Sequence, residues 1–249
     1  MMRSLGAMTL AHLAANALLL WLGYYWLGVG ETRASTLAWS ACVAVFFIGL
    51  TACVYSAPLV FFQGKDSAQL LMAWRTALRN LLPLVVAMIA IAAIYGLLAR
   101  WAVYSARPAF QIASFFTLKL RVPVRPASVA RAFNVVLFLV RWGVVPVLVL
   151  PMAAAVASRG WTGFRAIGSL ARNRLYWIEV PVLLLCTIWV PLKLLAWVPR
   201  LNSFGTEMVS FILRGLVAYL LFGAAWLALA FVTSGGKPRF TQSSTVTSP

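Results

Sequence analysis

Residues 137–158 read LFLVRWGVVPVLVLPMAAAVAS. How this stretch meets a lipid bilayer decides the fold. Between Trp142 and Ser158 there is no charged side chain, and as a helix that run extends about 25 Å. A hydrocarbon core is ~30 Å thick and takes about 20 helical residues, with a lower limit of about 17. The run is therefore long enough to cross by itself, with Arg141 and Trp142 as a basic–aromatic anchor where it enters. Bent into a re-entrant hairpin at Pro146 and Pro151, the same residues would return to their own side and leave five crossings. The straight crossing gives six.

Five further runs have the same character, approximately 5–28, 35–58, 81–104, 175–198 and 207–233, and the opening stretch belongs to a run at approximately 132–157. All six are continuously apolar and none alternates, which selects helices over a β-barrel. The whole chain agrees: 63% of its 249 residues are hydrophobic and 10% are charged, with a mean hydropathy of +0.92, where soluble domains carry about a quarter charged residues. The fold class is all-α: a polytopic integral membrane protein of about six transmembrane helices. Residues 1–233 form one transmembrane domain, and the polar tail 234–249, SGGKPRFTQSSTVTSP, is expected to be disordered. The first apolar run is about twice the length of a signal peptide's apolar region, so it reads as an uncleaved span. Tyr24, Tyr25, Trp26, Trp101, Tyr104, Tyr176, Trp177 and Trp197 stand near span ends, as an interfacial aromatic belt requires.

The links differ in kind. GETRAS, residues 30–35, is a short turn. Residues 63–80 read as a basic amphipathic surface helix, capped by Asp66 with Gln69 as its capping-box partner. Leu71, Trp74 and Leu78 share its apolar face, and Arg75 and Arg79 its polar one. Residues 158–174, SRGWTGFRAIGSLARNR, repeat the plan with Trp161, Phe164 and Ile167 against Arg165, Ser169 and Arg172. Both links end in an Arg-Asn pair, Arg79-Asn80 and Arg172-Asn173, which hints at a duplicated unit of span, surface helix and span. The longest link, 105–131, has an apolar part at 108–118 that is too short to cross and dips into the interface, followed by a stretch kept extended by Pro123 and Pro126.

Charge is strongly one-sided: 21 Lys and Arg against four acids, Glu31, Asp66, Glu179 and Glu207. The bases cluster between apolar spans, so the partners are anionic lipid headgroups, with other membrane subunits possible and no nucleic acid. The side holding residues 105–131 is side X, and the side holding the two surface links is side Y. Basic residues are almost equally shared, so the positive-inside rule leaves the orientation weakly determined; Arg3 and the basic links place side Y and both termini in the cytoplasm. Localisation follows as a multi-pass protein of a bacterial inner membrane.

Most chemistry is missing. One histidine, His12, lies in the first span and reads as a polar packing residue bonded to a neighbouring helix. The sequence holds no HExxH zinc motif, no triad at known spacing, no glycine-rich phosphate loop and no paired carboxylates. Cys42, Cys53 and Cys186 all sit in apolar runs as small hydrophobes, and the first two lie roughly 16 Å apart along one helix, too far to bridge. No catalytic residue, metal site or cofactor is expected.

The ionisable residues inside spans are Arg141, Glu179, Lys193 and Arg214. The three bases lie in one layer toward side X on three consecutive spans, and Glu179 lies toward side Y. Three readings are open: snorkelling to headgroups, pairing of Glu207 with Arg214 or Glu179 with Arg174, or convergence of Arg141, Lys193 and Arg214 on an anion, with Arg141 as the bidentate member. Pro146, Pro151, Pro181 and Pro191 fit kinked fourth and fifth spans.

Residues 150–185, LPMAAAVASRGWTGFRAIGSLARNRLYWIEVPVLLL, resemble a segment of multi-span bacterial membrane proteins related to the membrane domain of glycerophosphodiester phosphodiesterases. There a span ending in small residues and proline leads to a short basic helix; Ala166, Ser169, Leu170 and Arg172 take its places, while Ser158-Arg159 stands where an acid is usual. The resemblance implies a six-span helical protein without the hydrolase domain and brings no catalytic residues with it. The sequence thus points to a non-enzymatic membrane protein that binds anionic lipid and assists or organises a membrane process. The second reading is a small permease or transporter component whose anion site is formed by the three intramembrane bases.

Overall fold

The computed structural model describes residues 2–30, 32–64, 70–199 and 203–234. Its described residues form helices and turns and no strand. Six helical stretches are long and apolar enough to cross a membrane: Leu5–Leu27, Ala34–Gln63, Leu81–Tyr104, Pro126–Ala166, Tyr176–Ala196 and Phe204–Thr233. The chain is a multi-pass membrane protein. Asp66, Gln69 and the tail from residue 235 lie outside the described residues.

In chain order the helices are α1 (Met2–Leu27), α2 (Ala34–Gln63), α3 (Leu70–Arg79), α4 (Leu81–Tyr104), α5 (Ala106–Leu120), α6 (Pro126–Leu139), α7 (Val145–Arg159), α8 (Tyr176–Leu184), α9 (Val190–Ala196) and α10 (Phe204–Thr233). The fourth span does not turn back. From Pro126 to Arg159 it is helical throughout, with one π-helical turn at Val140–Val144 joining α6 to α7. That is roughly 50 Å of helix, longer than a bilayer core, so α6 extends past it on side X. Pro126 starts α6 early because its fixed φ suits the first helical turn.

The interior is built from small side chains. Ala52, Ala87 and Ala157 join Leu84, Val145, Val149, Met152 and Val156 between α2, α4 and α7. Leu59, Ala154 and Ala230 close the centre between α2, α7 and α10. Large apolar residues such as Leu10, Val45 and Leu97 point outward. This is the packing expected where lipid is as apolar as leucine and helices gain by close approach.

One cluster fixes the topology. Met8 near the start of α1, Phe61 near the end of α2, Ala73 on α3 and Leu227 near the end of α10 pack together. The start of the first span and the end of the last therefore lie on one side, as six crossings require. Asn80, after α3, bonds Ala157 at the end of α7, which puts both surface links on that same side Y.

The two links take different forms. α3 is an α-helix packed on α2. Its buried residues are Ala73 and Ala77, while Leu71 and Leu78 are 82% and 57% exposed. The second link is not an α-helix: Gly160–Ala166 is a 3-10 turn folded against α7, and turns follow to residue 175. Three glycines explain it. Gly160 and Gly168 both have φ +65, a left-handed conformation that suits glycine. At Gly163 a Cβ would stand 2.3 Å from the Val156 nitrogen, so only glycine lets the turn lie on the α7 backbone. Residues 166–172, on which the family resemblance rests, fall in these turns.

The long link on side X is also more regular than its sequence suggests. α5 packs along α6, and residues 121–125 between them are non-helical, with Val124 N–H donating to Thr117 Oγ1 at 2.9 Å.

Candidate functional site

Two features could meet ligands: the arginine-rich end on side Y and the bases inside the spans. On side Y the sequence places Arg75 and Arg79 on the last two turns of α3. Asn80 then leaves the helix, and its buried side chain donates from Nδ2 to the Ala157 carbonyl at 2.9 Å. Gly160 approaches the other side of the same amide; a Cβ there would sit 3.0 Å from Asn80 Oδ1. This lock joins the two links, 77 residues apart in the chain. Arg75, Arg79, Arg165 and Arg172 are all exposed, as are Arg159 and Arg174. Among the described residues none of them forms an ion pair with Glu179 or Glu207. The two arginine-bearing links are thus joined at one end of the bundle, with no ion pair on these arginines among the described residues.

The Arg-Asn pairs are not equivalent. Asn80 is buried and ties two elements, whereas Asn173 is exposed and its Oδ1 accepts from Leu175 N–H two residues on.

The structure gives the three intramembrane bases separate partners. The Arg141 guanidinium lies 5.8 Å from the ring centres of both Tyr95 and Trp142. Lys193 Nζ lies over Trp189, and the Arg214 guanidinium over Phe211. Arg214 Nε also donates to the Ser210 carbonyl one turn back, at 3.2 Å. Arg141 and Lys193 are exposed, and Arg214 is part-buried with its Nη1 enclosed. No ion pair joins Glu207 to Arg214 or Glu179 to Arg174 among the described residues.

The backbone beside Arg141 explains why Tyr95 stands there. In the π-helical turn, Val145 N–H donates to Val140 O rather than to Arg141 O. The next residue, Pro146, has no N–H to give. The Arg141 carbonyl thus loses both possible backbone donors inside an apolar span, where an unmet carbonyl is costly. The Tyr95 hydroxyl on α4 supplies the bond at 3.0 Å. A second π-helical turn, Leu185–Trp189, has the same register: Val190 N–H donates to Leu185 O and Pro191 follows. Cys186 there stands where Arg141 does in the first.

Sequence reasoning missed a buried polar cluster between α1, α2 and α10. His12 and Asn16 are 0% and 4% exposed. Asn16 Nδ2 donates to His12 O at 2.8 Å and approaches His12 Nε2 at 3.1 Å. An amide nitrogen only donates, so Nε2 accepts and the ring proton sits on Nδ1. Asn16 Oδ1 accepts from the Tyr55 hydroxyl at 2.8 Å. Tyr55 is held edge-on by His12, Phe222 and Trp226, and its carbonyl accepts from Trp226 Nε1 at 3.3 Å. Tyr219 donates to the Leu13 carbonyl, close to where Gly223 admits Leu13. His12 bonds Asn16 within its own helix, the backbone of Val54 on α2 lies within hydrogen-bonding reach of its ring, and Asn16 carries a second link to α2. The available signal was the spacing of His12 and Asn16, one helical turn apart in an apolar run.

No cluster of three or more His, Cys, Asp or Glu able to hold a metal occurs among the described residues. Comparison with protein-family models, with curated proteins and with solved structures gives no match.

Proposed function

We propose that this chain is a non-enzymatic integral membrane protein whose side-Y end engages anionic lipid headgroups and thereby assists or organises a membrane process. The observation that supports it is the join at Asn80 and Ala157, which brings two separate arginine-bearing links to one end of the bundle. Arg75, Arg79, Arg165 and Arg172 are exposed there, and none forms an ion pair among the described residues. Each base near an anionic surface contributes about 1 kcal/mol. The exposed apolar residues beside them, Leu71, Leu78 and Trp161, suit the acyl boundary, as on an amphipathic surface element. A bacterial inner membrane, with side Y cytoplasmic, fits this charge pattern.

Spin-labelled phosphatidylglycerol tests the reading by electron paramagnetic resonance. In reconstituted wild-type protein a motionally restricted fraction is expected to exceed that of spin-labelled phosphatidylcholine and to fall with salt. The variant with all four arginines changed to Gln should show no preference between the two lipids. Equal preference in wild type and variant would overturn the assignment.

A second reading, a permease component with an intramembrane anion site, draws on Arg214, whose buried Nη1 has no partner among the described residues. It requires that Arg214→Gln abolish uptake of an anionic solute in proteoliposomes without loss of folded protein.

A further inference from the structure

The geometry points to a discrete phospholipid-phosphate site on side X, formed by the Arg141 guanidinium between the rings of Tyr95 and Trp142. It lies at the opposite end of the bundle from the arginine-rich links and does not depend on them.

Four observations carry it. The guanidinium is exposed at the bundle surface, on a span whose neighbouring residues are all apolar. It lies 5.8 Å from each of two aromatic ring centres, one on its own span and one on α4. Its N–H groups donate to no protein acceptor among the described residues, although five such donors in an apolar setting need acceptors. The Tyr95 hydroxyl donates to the Arg141 carbonyl, and that bond fixes its ring as one wall of the site.

Depth selects the ligand. About 26 Å of helix separates Arg141 from Ser158 at the side-Y end. Against a core of about 30 Å, the Arg141 Cα is just inside the side-X boundary, and its long side chain reaches the phosphate layer. Planar N–H pairs match the oxygens of a phosphodiester, and the flanking rings stack with the guanidinium while their edges meet acyl chains. The ligand is the phosphodiester of a side-X phospholipid. A soluble phosphate would need the same donors but gains nothing from acyl chains beside the two rings.

The experiment uses full-length protein in nanodiscs with a trace of phosphatidylglycerol bearing a photoreactive group near its phosphate. A diacylglycerol with the same photoreactive group but no phosphate serves as comparison. Crosslinked peptides are mapped by mass spectrometry. On wild-type protein the phosphate-bearing probe is expected to label the peptides containing Tyr95 and Trp142 at least tenfold more than the phosphate-free probe. Arg141→Gln should abolish the difference, and the side-Y variant with four arginines replaced should keep it. Equal labelling by the two probes on wild type overturns the site without recourse to any variant. Labelling that persists in folded Arg141→Gln also overturns it, and abolition by millimolar inorganic phosphate would overturn the lipid as its ligand.

Discussion

The Tyr95 hydroxyl on α4 donates to the backbone carbonyl of Arg141 at 3.0 Å, replacing the two backbone donors that the π-helical turn and Pro146 remove. One interhelical bond therefore satisfies a carbonyl that the span's own sequence leaves open, and it ties the third span to the fourth near side X.

This arrangement predicts a coupling. Tyr95→Phe should destabilise the folded protein by about 1 kcal/mol, the scale of an interhelical hydrogen bond in a membrane. In a Pro146→Ala background the backbone regains an N–H, so the same change should cost close to nothing. A double-mutant cycle on thermal unfolding in detergent measures the difference. Additive effects would mean that the tyrosine does not stand in for the missing backbone donor.

Gly163 lies where a Cβ would stand 2.3 Å from the Val156 nitrogen. Gly163→Ala should cost more than about 3 kcal/mol, because backbone atoms cannot yield as side chains do. Gly205→Ala, with nothing within 4 Å of the new atom, serves as a matched control. Monodisperse yield on size exclusion and midpoint temperature should fall for the first and hold for the second.

Asn80→Ala breaks the bond to Ala157 and leaves a buried carbonyl unmet, with an expected loss of about 2 kcal/mol. Asn173→Ala removes an exposed turn bond and should cost less than about 0.5 kcal/mol. Similar losses at the two sites would restore the case for equivalent repeats, which the differing burial argues against.

Asn16→Ala removes the partner of both His12 Nε2 and the Tyr55 hydroxyl. The expected loss is about 2–3 kcal/mol, larger than the roughly 1 kcal/mol for Tyr55→Phe, which leaves the amide its contacts with His12. The double variant should lose no more than Asn16→Ala alone by about 0.5 kcal/mol, since one partner is already gone. Equilibrium unfolding of the three variants decides this.

The six spans were legible because each is a continuous apolar run bounded by polar residues, a signal that needs no tertiary information. The ends agree to within a few residues except at Pro126, Gln63 and Ala166, where helix continues beyond the apolar run. The link at 158–174 departs from the helix that the spacing of Trp161, Phe164 and Ile167 predicts because Gly160, Gly163 and Gly168 interrupt it, and glycine's freedom outweighs periodicity in so short a segment. Prolines in spans four and five announced irregular helix; the π-helical register did not follow from them. The depth of Arg141, Lys193 and Arg214 is counted along the chain. Their azimuth is not carried by the sequence, because it is set by which helices pack together, and each base meets its own ring. Tyr55 was invisible as a partner of Asn16 for the same reason: 39 residues separate them.

The four arginines on side Y are held to act as one surface, and native mass spectrometry tests this directly. Wild-type protein released from a mixed detergent micelle should retain phosphatidylglycerol in preference to phosphatidylethanolamine. Neutralising Arg75 and Arg79, or Arg165 and Arg172, should each reduce the number of retained phosphatidylglycerol molecules, and neutralising all four should remove the preference. Retention by the fourfold variant equal to that of the wild type would contradict the account.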